Sequence, residues 1–254
     1  MTLPTPERKS RRIDVPRLRV ITFDLDNTLW NVRTVIGGAE RRLAAWLEAE
    51  IPAAAALYRN GADLMPMRSR LIAEQPQLAH DISRLREAIL QQVIRQAGHG
   101  ETEARRLAAR AFEVFIEARH DIDFFEGTLG ALAQLSGRYA LGSLTNGNAD
   151  PKRLKLDRYF SFSFCAADVG ASKPAPDLFE AALRHTGAAP HEVAHIGDHP
   201  IDDIAGAADL GLHTIWMNGP VQQSMREEPA TAPATVEIAH LDELVDAVER
   251  IEAL

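Results

Sequence analysis

Cysteine is almost missing from this chain: Cys165 is the single one among 254 residues, so no internal disulfide can brace the fold. It lies in the apolar run "FSFCAADV" and is expected to be a small core residue rather than a nucleophile. No apolar stretch reaches the roughly 18 residues of a membrane span, and no signal peptide precedes the basic segment near the N-terminus. A reducing cytoplasm is the expected compartment. Positive charge is also in deficit, with 28 Lys and Arg against 36 Asp and Glu and a net charge of -8. There is therefore no basic field to neutralise nucleic-acid phosphates. The one basic cluster, Arg8, Lys9, Arg11 and Arg12, falls in a polar tail, residues 1–17, expected to be a disordered, solvated arm. What remains is an ordinary soluble composition, 46% hydrophobic and 25% charged. Its length allows one large domain or a domain with an insertion. Oligomeric state is not encoded in any of these features.

The chain divides by periodicity. Arg19 to Phe23 is nearly continuously apolar and rich in β-formers, which suits a strand buried on both faces of a parallel sheet. From about Val32 to His120 the sequence turns to Ala, Leu, Arg, Glu and Gln, with apolar residues at helical spacing, as in Ile82, Leu85, Ile89, Val93 or Leu107, Ala111, Val114, Phe115. Four or five helices and no strand are expected there. From Phe125 onward strand signals ("YALGSLT", "FSFCA", "VAHIG", "HTIWM", "TVEIA") alternate with helical runs such as "DLFEAALRHTG" and "DIAGAADLG", each stopped by Gly. "MREEPATAPATVE" is a polar connection before the last strand. Such alternation predicts βαβ units and an α/β fold: a Rossmann-like, doubly wound, mainly parallel sheet interrupted by a helical insertion. The expected boundaries are 18–30 with 125–254 for the core and 31–124 for the insertion.

In such a sheet ligands bind outside the carboxyl ends of the strands. After the first strand come Asp24 and Asp26, one residue apart, with Thr28; two like charges at the end of an apolar strand need something positive to hold them. After "YALGSL" come Thr145, Asn146 and Gly147; Lys173 precedes the helix of "PDLFEAALRH"; Gly197, Asp198, Asp202 and Asp203 follow "VAHI". Asp24, Asp26 and Asp198 can converge on Mg²⁺, a hard cation that prefers oxygen ligands, aided by Lys173. A carboxylate so placed can attack phosphorus and form an aspartyl phosphate. Lys173, Thr145 and the Asn146 backbone would stabilise the transferring group. The second carboxylate would protonate the leaving oxygen and then deprotonate water.

Taken in order, "DLDNT", "LGSLTNGN", "SKP" and "GDHPIDD" resemble the four motifs of the haloacid-dehalogenase-like hydrolase superfamily, and the helical block resembles its inserted α-helical cap. The resemblance covers all but the first ~17 residues. It implies Asp24 as nucleophile and Asp26 as acid/base that also ligates Mg²⁺ through its main-chain carbonyl. It further implies Thr145 and Lys173 as phosphoryl ligands, Asp198 as the metal carboxylate, and Asp203 as the supporting acid, with Asp202 left open. Within the superfamily, "ITFDLDNTLW", "HDISRLREAIL", "LTNGNAD" and "SKPAPDLF" are similar to the branch of flavin mononucleotide phosphatases, which also act on the ribityl-phosphate intermediate of riboflavin synthesis. A small phosphorylated metabolite is the implied partner.

Each motif has a plainer reading. D-x-D-x-T also opens an EF-hand loop, but the required Gly is Leu29 and the closing Glu is Val35. Asn146-Gly147 is a hairpin turn elsewhere, yet "NADPKRLKLDRYF" after it has helical character. Alone, Lys173 would be a solvated lysine and Gly197-Asp198 a turn. His80 either touches substrate or, with Asp81, caps a helix; His195 is expected to pack within a strand; His199 lies in the active loop. Trp30 and Asn31 stand at the entry to the insertion, as pocket lining or hinge packing. Competing functions on the same fold are a phosphomutase, a 2-haloacid dehalogenase, for which metal carboxylates would be superfluous, and a catalytically silent binding protein.

Overall fold

The computed structural model describes residues 18–61, 64–225 and 234–254. The basic tail and most of the polar connection before the last strand lie outside the described residues. Six strands, β1 (Val20–Phe23), β2 (Ala140–Thr145), β3 (Phe160–Cys165), β4 (Val193–Gly197), β5 (His213–Met217) and β6 (Val236–Ile238), form one sheet. Their order is β3-β2-β1-β4-β5-β6 and every neighbouring pair is parallel. The central strands are the continuous apolar runs: all four residues of β1 and all five of β4 are buried, because helices cover both faces. On either side of β1 the chain winds in opposite directions, so the gap between β1 and β4 is the topological switch point, where the ends of the strands leave a crevice.

Among the described residues, five α-helices stand between β1 and the chain's return to the sheet at Phe124: α1 (Val32–Glu50), α2 (Pro52–Asn60), α3 (Leu64–Glu74), α4 (Ile82–Gln96) and α5 (Glu101–Arg119). Local chemistry starts them. The Asn31 side chain accepts from the Arg33 and Thr34 N–H groups at 3.0 and 3.3 Å. Pro52 opens α2 at a position where its missing N–H costs nothing. Asp81 accepts from the Arg84 N–H at 2.9 Å, so of the pair His80-Asp81 the aspartate is the cap. Ala39, Leu43 and Leu47, four apart on α1, turn one stripe toward α5, whose Leu107, Ala108, Ala111 and Phe115 share a core with it. These helices share a hydrophobic core separate from that of the sheet. The stripe expected on α4 splits by burial: Leu85 and Val93 are buried, whereas Ile82 is exposed and Ile89 half-buried along a cleft that Leu85 also borders.

The chain crosses between sheet and insertion twice, and the two crossings are bonded to each other. Phe125 N–H donates to the Leu29 carbonyl at 2.8 Å, and Trp30 bridges both Asp26 and Phe124. The Trp30 and Phe124 rings meet edge to face with centroids 6.0 Å apart. Trp30 is fully buried, so it is packing at the crossing.

Helices α6 (Thr128–Ser136) and α11 (Leu244–Glu252) cover one face of the sheet through Leu132, Leu135, Val248 and Ile251. On the other face α8 (Asp177–Thr186) packs Phe179 and Ala182 against Val20 and Leu144 and ends at Gly187, whose φ of 63° few other residues adopt. Short helices α7 (Ala166–Val169), α9 (Gly206–Ala208) and α10 (Pro220–Met225) complete the α-helices among the described residues. Three expectations change. "NADPKRLKLDRYF" forms turns, because Lys155 takes φ 56° and the Leu156 N–H bonds five residues back to Pro151. "DIAGAADLG" is entered through a π-helical turn, Pro200–Ala205, where the His199 carbonyl accepts from both Asp203 and Ile204. Cys165 is half-buried at the end of β3, outside the core, with its N–H given to Asp168; burial pushes its thiol up and away from nucleophilic character.

Candidate active site

The strand ends converge as the switch point requires. Asp24 prolongs β1, donating its N–H to the Ile196 carbonyl of β4 at 2.8 Å. Its Oδ1 accepts from Lys173 Nζ at 2.8 Å and its Oδ2 from the Thr28 hydroxyl at 3.3 Å. Lys173 is buried, and its ammonium uses all three donors: Asp24, Asp203 Oδ1 at 2.6 Å and the Leu144 carbonyl at 2.7 Å. Asp203 accepts in addition from the His199 N–H at 2.9 Å and contacts His195 Nε2 at 3.2 Å. A Cβ at Gly197 would overlap the Asp203 side chain, so only glycine lets that carboxylate approach.

The choice between neighbouring aspartates is thus made by burial. Asp203 faces the lysine, whereas Asp202 stays half-exposed and gives its N–H to His199 Nδ1 at 3.0 Å. His199 accordingly caps the π-helical turn. His195 is the packed strand residue expected, its Nδ1 at 2.9 Å from the Thr22 hydroxyl. Thr145 is buried at the end of β2, its Oγ1 accepting from the Gly147 N–H at 2.9 Å. Asn146 has a task besides its backbone: its carboxamide accepts from Lys173 N–H at 2.7 Å and donates to the Lys173 carbonyl at 3.0 Å. The insertion reaches both of these loops, with His80 Nδ1 at 2.9 Å from the Ser172 hydroxyl and Asn148 Nδ2 donating to Ser83 at 3.1 Å.

Charge is not balanced here. Burial raises the pKa of Asp203, but Lys173 and His195 outweigh it and hold that carboxyl well below the usual range. Burial also opposes the Lys173 charge, yet Asp203 and Asp24 together keep the ammonium above the ordinary lysine value. One cation between two buried carboxylates leaves one negative charge over, and it falls on Asp24: burial, against the pull of Lys173, pushes it up to about 7. Ligand oxygens of Asp24, Asp198 and Asp203 come within 4.8 Å of one another. Three carboxylates with surplus negative charge and no soft donor form a set that fits Mg²⁺.

Asp26 does not add its carboxylate to that set. Arg119 Nη2 lies 2.7 Å from both Asp26 oxygens, and the Trp30 indole N–H donates to Oδ1 at 2.8 Å. The opening problem of two adjacent like charges therefore has two answers, Lys173 for Asp24 and Arg119 for Asp26. Arg119 was invisible in the sequence, where an arginine in the last turn of a helix is an ordinary solvated residue stabilised by the helix dipole. The demand for a second cation beside "DLD" was the one available signal. A Cβ at Gly147 would lie 2.7 Å from Asp26 Oδ2 and 3.1 Å from Thr145 Oγ1, so Asp26 and Thr145 face one space across that glycine.

A sequence model described as a haloacid dehalogenase-like hydrolase matches residues 18–211. The 5-amino-6-(5-phospho-D-ribitylamino)uracil phosphatase YigB of Escherichia coli (strain K12) is 32% identical over 211 residues, covering 82% of this chain and 88% of that protein. A phosphoserine phosphatase of Thermus thermophilus is 33% identical over 165 residues, 63% of each chain. Among solved structures, the 2-haloacid dehalogenase from Pseudomonas syringae pv. Tomato DC3000 is 38% identical with a TM-score of 0.83, covering 92% of this chain and 99% of that one. Among the described residues, no helix is long and apolar enough to cross a membrane.

Proposed function

The chain belongs to the haloacid dehalogenase-like hydrolase family, and on that premise we propose that it is a Mg²⁺-dependent phosphatase acting on a small phosphorylated metabolite. The observation that carries this reading is the placement of Asp24 against Lys173 within a group of three carboxylates. Asp24, Asp198 and the Asp26 main-chain carbonyl would hold the metal, with Asp203 as the supporting acid; bound there, Mg²⁺ supplies charge neutralisation to the phosphoryl oxygens. Asp24 attacks phosphorus as the ester P–O bond breaks, and Asp26 gives its proton to the departing oxygen. Water then attacks the aspartyl phosphate, surrendering a proton to Asp26, and Asp24 is regenerated as phosphate leaves. Lys173, Thr145 and the Asn146 backbone stabilise the transferring group.

Helices α1–α5 act in this reading as the cap that selects the substrate. Its cleft of about 380 Å³ has apolar walls, among them Ile36, Ile82 and Phe115, and reaches Asn148 of the core, one residue from Gly147. Set into that wall, Arg86 Nη1 donates to Glu40 at 2.6 Å and to the Tyr58 hydroxyl at 3.1 Å, with its guanidinium 3.7 Å from the Phe115 centroid. Apolar faces beside a polar group suit a planar, hydrogen-bonding ring carried on a phosphorylated chain. 5-amino-6-(5-phosphoribitylamino)uracil and flavin mononucleotide have that form, and the likeness to YigB points the same way.

The second reading is a 2-haloacid dehalogenase, favoured by the likeness to the Pseudomonas structure. Halide leaves without a proton and without a metal, so that reading gives Asp198 no cation to hold and Asp26 no acid role, only that of a base in hydrolysing the ester intermediate. The deciding experiment assays purified protein, with Mg²⁺ and with EDTA, on a panel of phosphate monoesters including both ribityl phosphates, and on 2-chloropropionate. Metal-dependent phosphate release is expected; chloride release without phosphate release would reverse the assignment.

A further inference from the structure

Arg119 is a charged residue left unused by the chemistry just described, and its placement is unusual. Its side chain is 1% exposed, it is the last residue of α5, and only Nη2 is engaged; Nε and Nη1 are buried without a hydrogen-bond partner among the described residues. A buried guanidinium is costly unless paired, and among the described residues its one ion pair is to Asp26. Trp30 holds the same carboxylate from the other side of the insertion, and the Arg119 guanidinium lies 5.8 Å from the Trp30 ring centroid. Trp30 precedes α1 by two residues, and Arg119 precedes the returning segment that pairs with Leu29 and Trp30. The two groups that hold Asp26 are thus one from each crossing between sheet and insertion.

We propose that Arg119 is a positioning residue for Asp26: with Trp30 it clamps the carboxylate toward the space shared with Thr145, so that the orientation of the proton-transfer group follows the two crossings. The inference rests on the reading of Asp26 as acid/base. Movement of α1–α5 against the sheet would reach the reacting centre through these contacts directly, because α5 cannot rotate about the crossings without carrying Arg119.

The test uses two phosphate esters with Mg²⁺. A simple alkyl phosphate needs its leaving oxygen protonated; p-nitrophenyl phosphate releases a phenolate stable without it. A positioned general acid is worth roughly 10²–10⁴-fold, so partial loss in Arg119→Ala should lower kcat/KM for the alkyl ester by about 10–100-fold. For the nitrophenyl ester the loss should stay within about threefold, because that route leans little on the acid. Arg119→Lys, a point charge without the planar fork, should recover part of the difference, and Trp30→Phe should show a smaller loss of the same pattern. Equal losses on both esters, or none, would overturn the proposal. If Arg119→Ala does not fold, Arg119→Lys and Trp30→Phe carry the same comparison. The readout independent of turnover is ¹⁹F NMR of 5-fluorotryptophan-labelled protein, with the Trp30 line assigned by its absence in Trp30→Phe. That line should move in Arg119→Lys and in Asp26→Asn, and an unmoved line rejects the clamp. A wild type inert on both esters would count against the phosphatase reading, while the ¹⁹F line still decides the clamp.

Discussion

Asn146 and Lys173 hold each other through both ends of one carboxamide, Oδ1 taking the lysine N–H at 2.7 Å and Nδ2 meeting its carbonyl at 3.0 Å. The end of β2 is thereby tied to the loop that delivers the ammonium to Asp24. Losing both bonds at a part-buried site costs about 1–3 kcal/mol. Asn146→Ala should accordingly lower the melting temperature by several degrees and turnover by about tenfold or more, one decade corresponding to roughly 1.4 kcal/mol of transition-state stabilisation. Thermal melts and steady-state rates check both.

Asp24 and Lys173 should part company in their variants. Asp24→Asn removes the nucleophile and abolishes turnover, yet the metal-free variant should melt no lower than wild type, because burial already works against that charge. Lys173→Met strips the cation from two buried carboxylates, and breaking a buried pair costs about 3–5 kcal/mol. Urea titrations of the two metal-free variants make the comparison.

Mg²⁺ should raise the melting temperature, because a ligand of the native state stabilises it by mass action. The rise should disappear in Asp198→Ala, whose carboxylate belongs to the group of three. Calorimetric scans with and without the ion measure it, and EDTA should abolish phosphate release in the wild type.

The acid side of the rate profile follows from the position of Asp24 at about 7 without metal. Below that pH the protonated, non-nucleophilic form predominates. A bound divalent cation favours the ionised form, so the acid limb should lie near neutrality at limiting Mg²⁺ and move to lower pH as Mg²⁺ increases. Rate profiles at two Mg²⁺ concentrations read the shift directly.

His120 gives a pH effect on stability instead. Its Nδ1 lies 2.6 Å from the Ile116 carbonyl and its Nε2 accepts from the Asp150 N–H at 2.8 Å, so the neutral ring is the one that fits. Burial first, then Arg119 and Arg153, hold its pKa below the ordinary value of 6.5 despite the bond to Ile116. The unfolded chain therefore binds the proton more readily, and this contribution to stability is present above pH 6.5 and lost as pH falls through the lower folded value. Melting between pH 7.5 and 5.5 should fall less steeply in His120→Gln than in the wild type.

Order along the chain determined the strands, the helical insertion and the carboxylates and lysine at strand ends, because period-2 and period-3.6 burial leave their marks locally. "VITFD" and "VAHIGD" show buried strands running into acids without any knowledge of their neighbours. Only the tertiary structure decided which charge meets which. Asp203 rather than Asp202 turns to Lys173 because a glycine at 197 makes room for it. Ile82 and Ile89 leave the α4 stripe for a cleft that exists only once α1, α3 and α4 assemble. Arg119 meets Asp26 across 93 residues of chain. Contacts of that separation depend on where folded elements come to rest, and no local period records them.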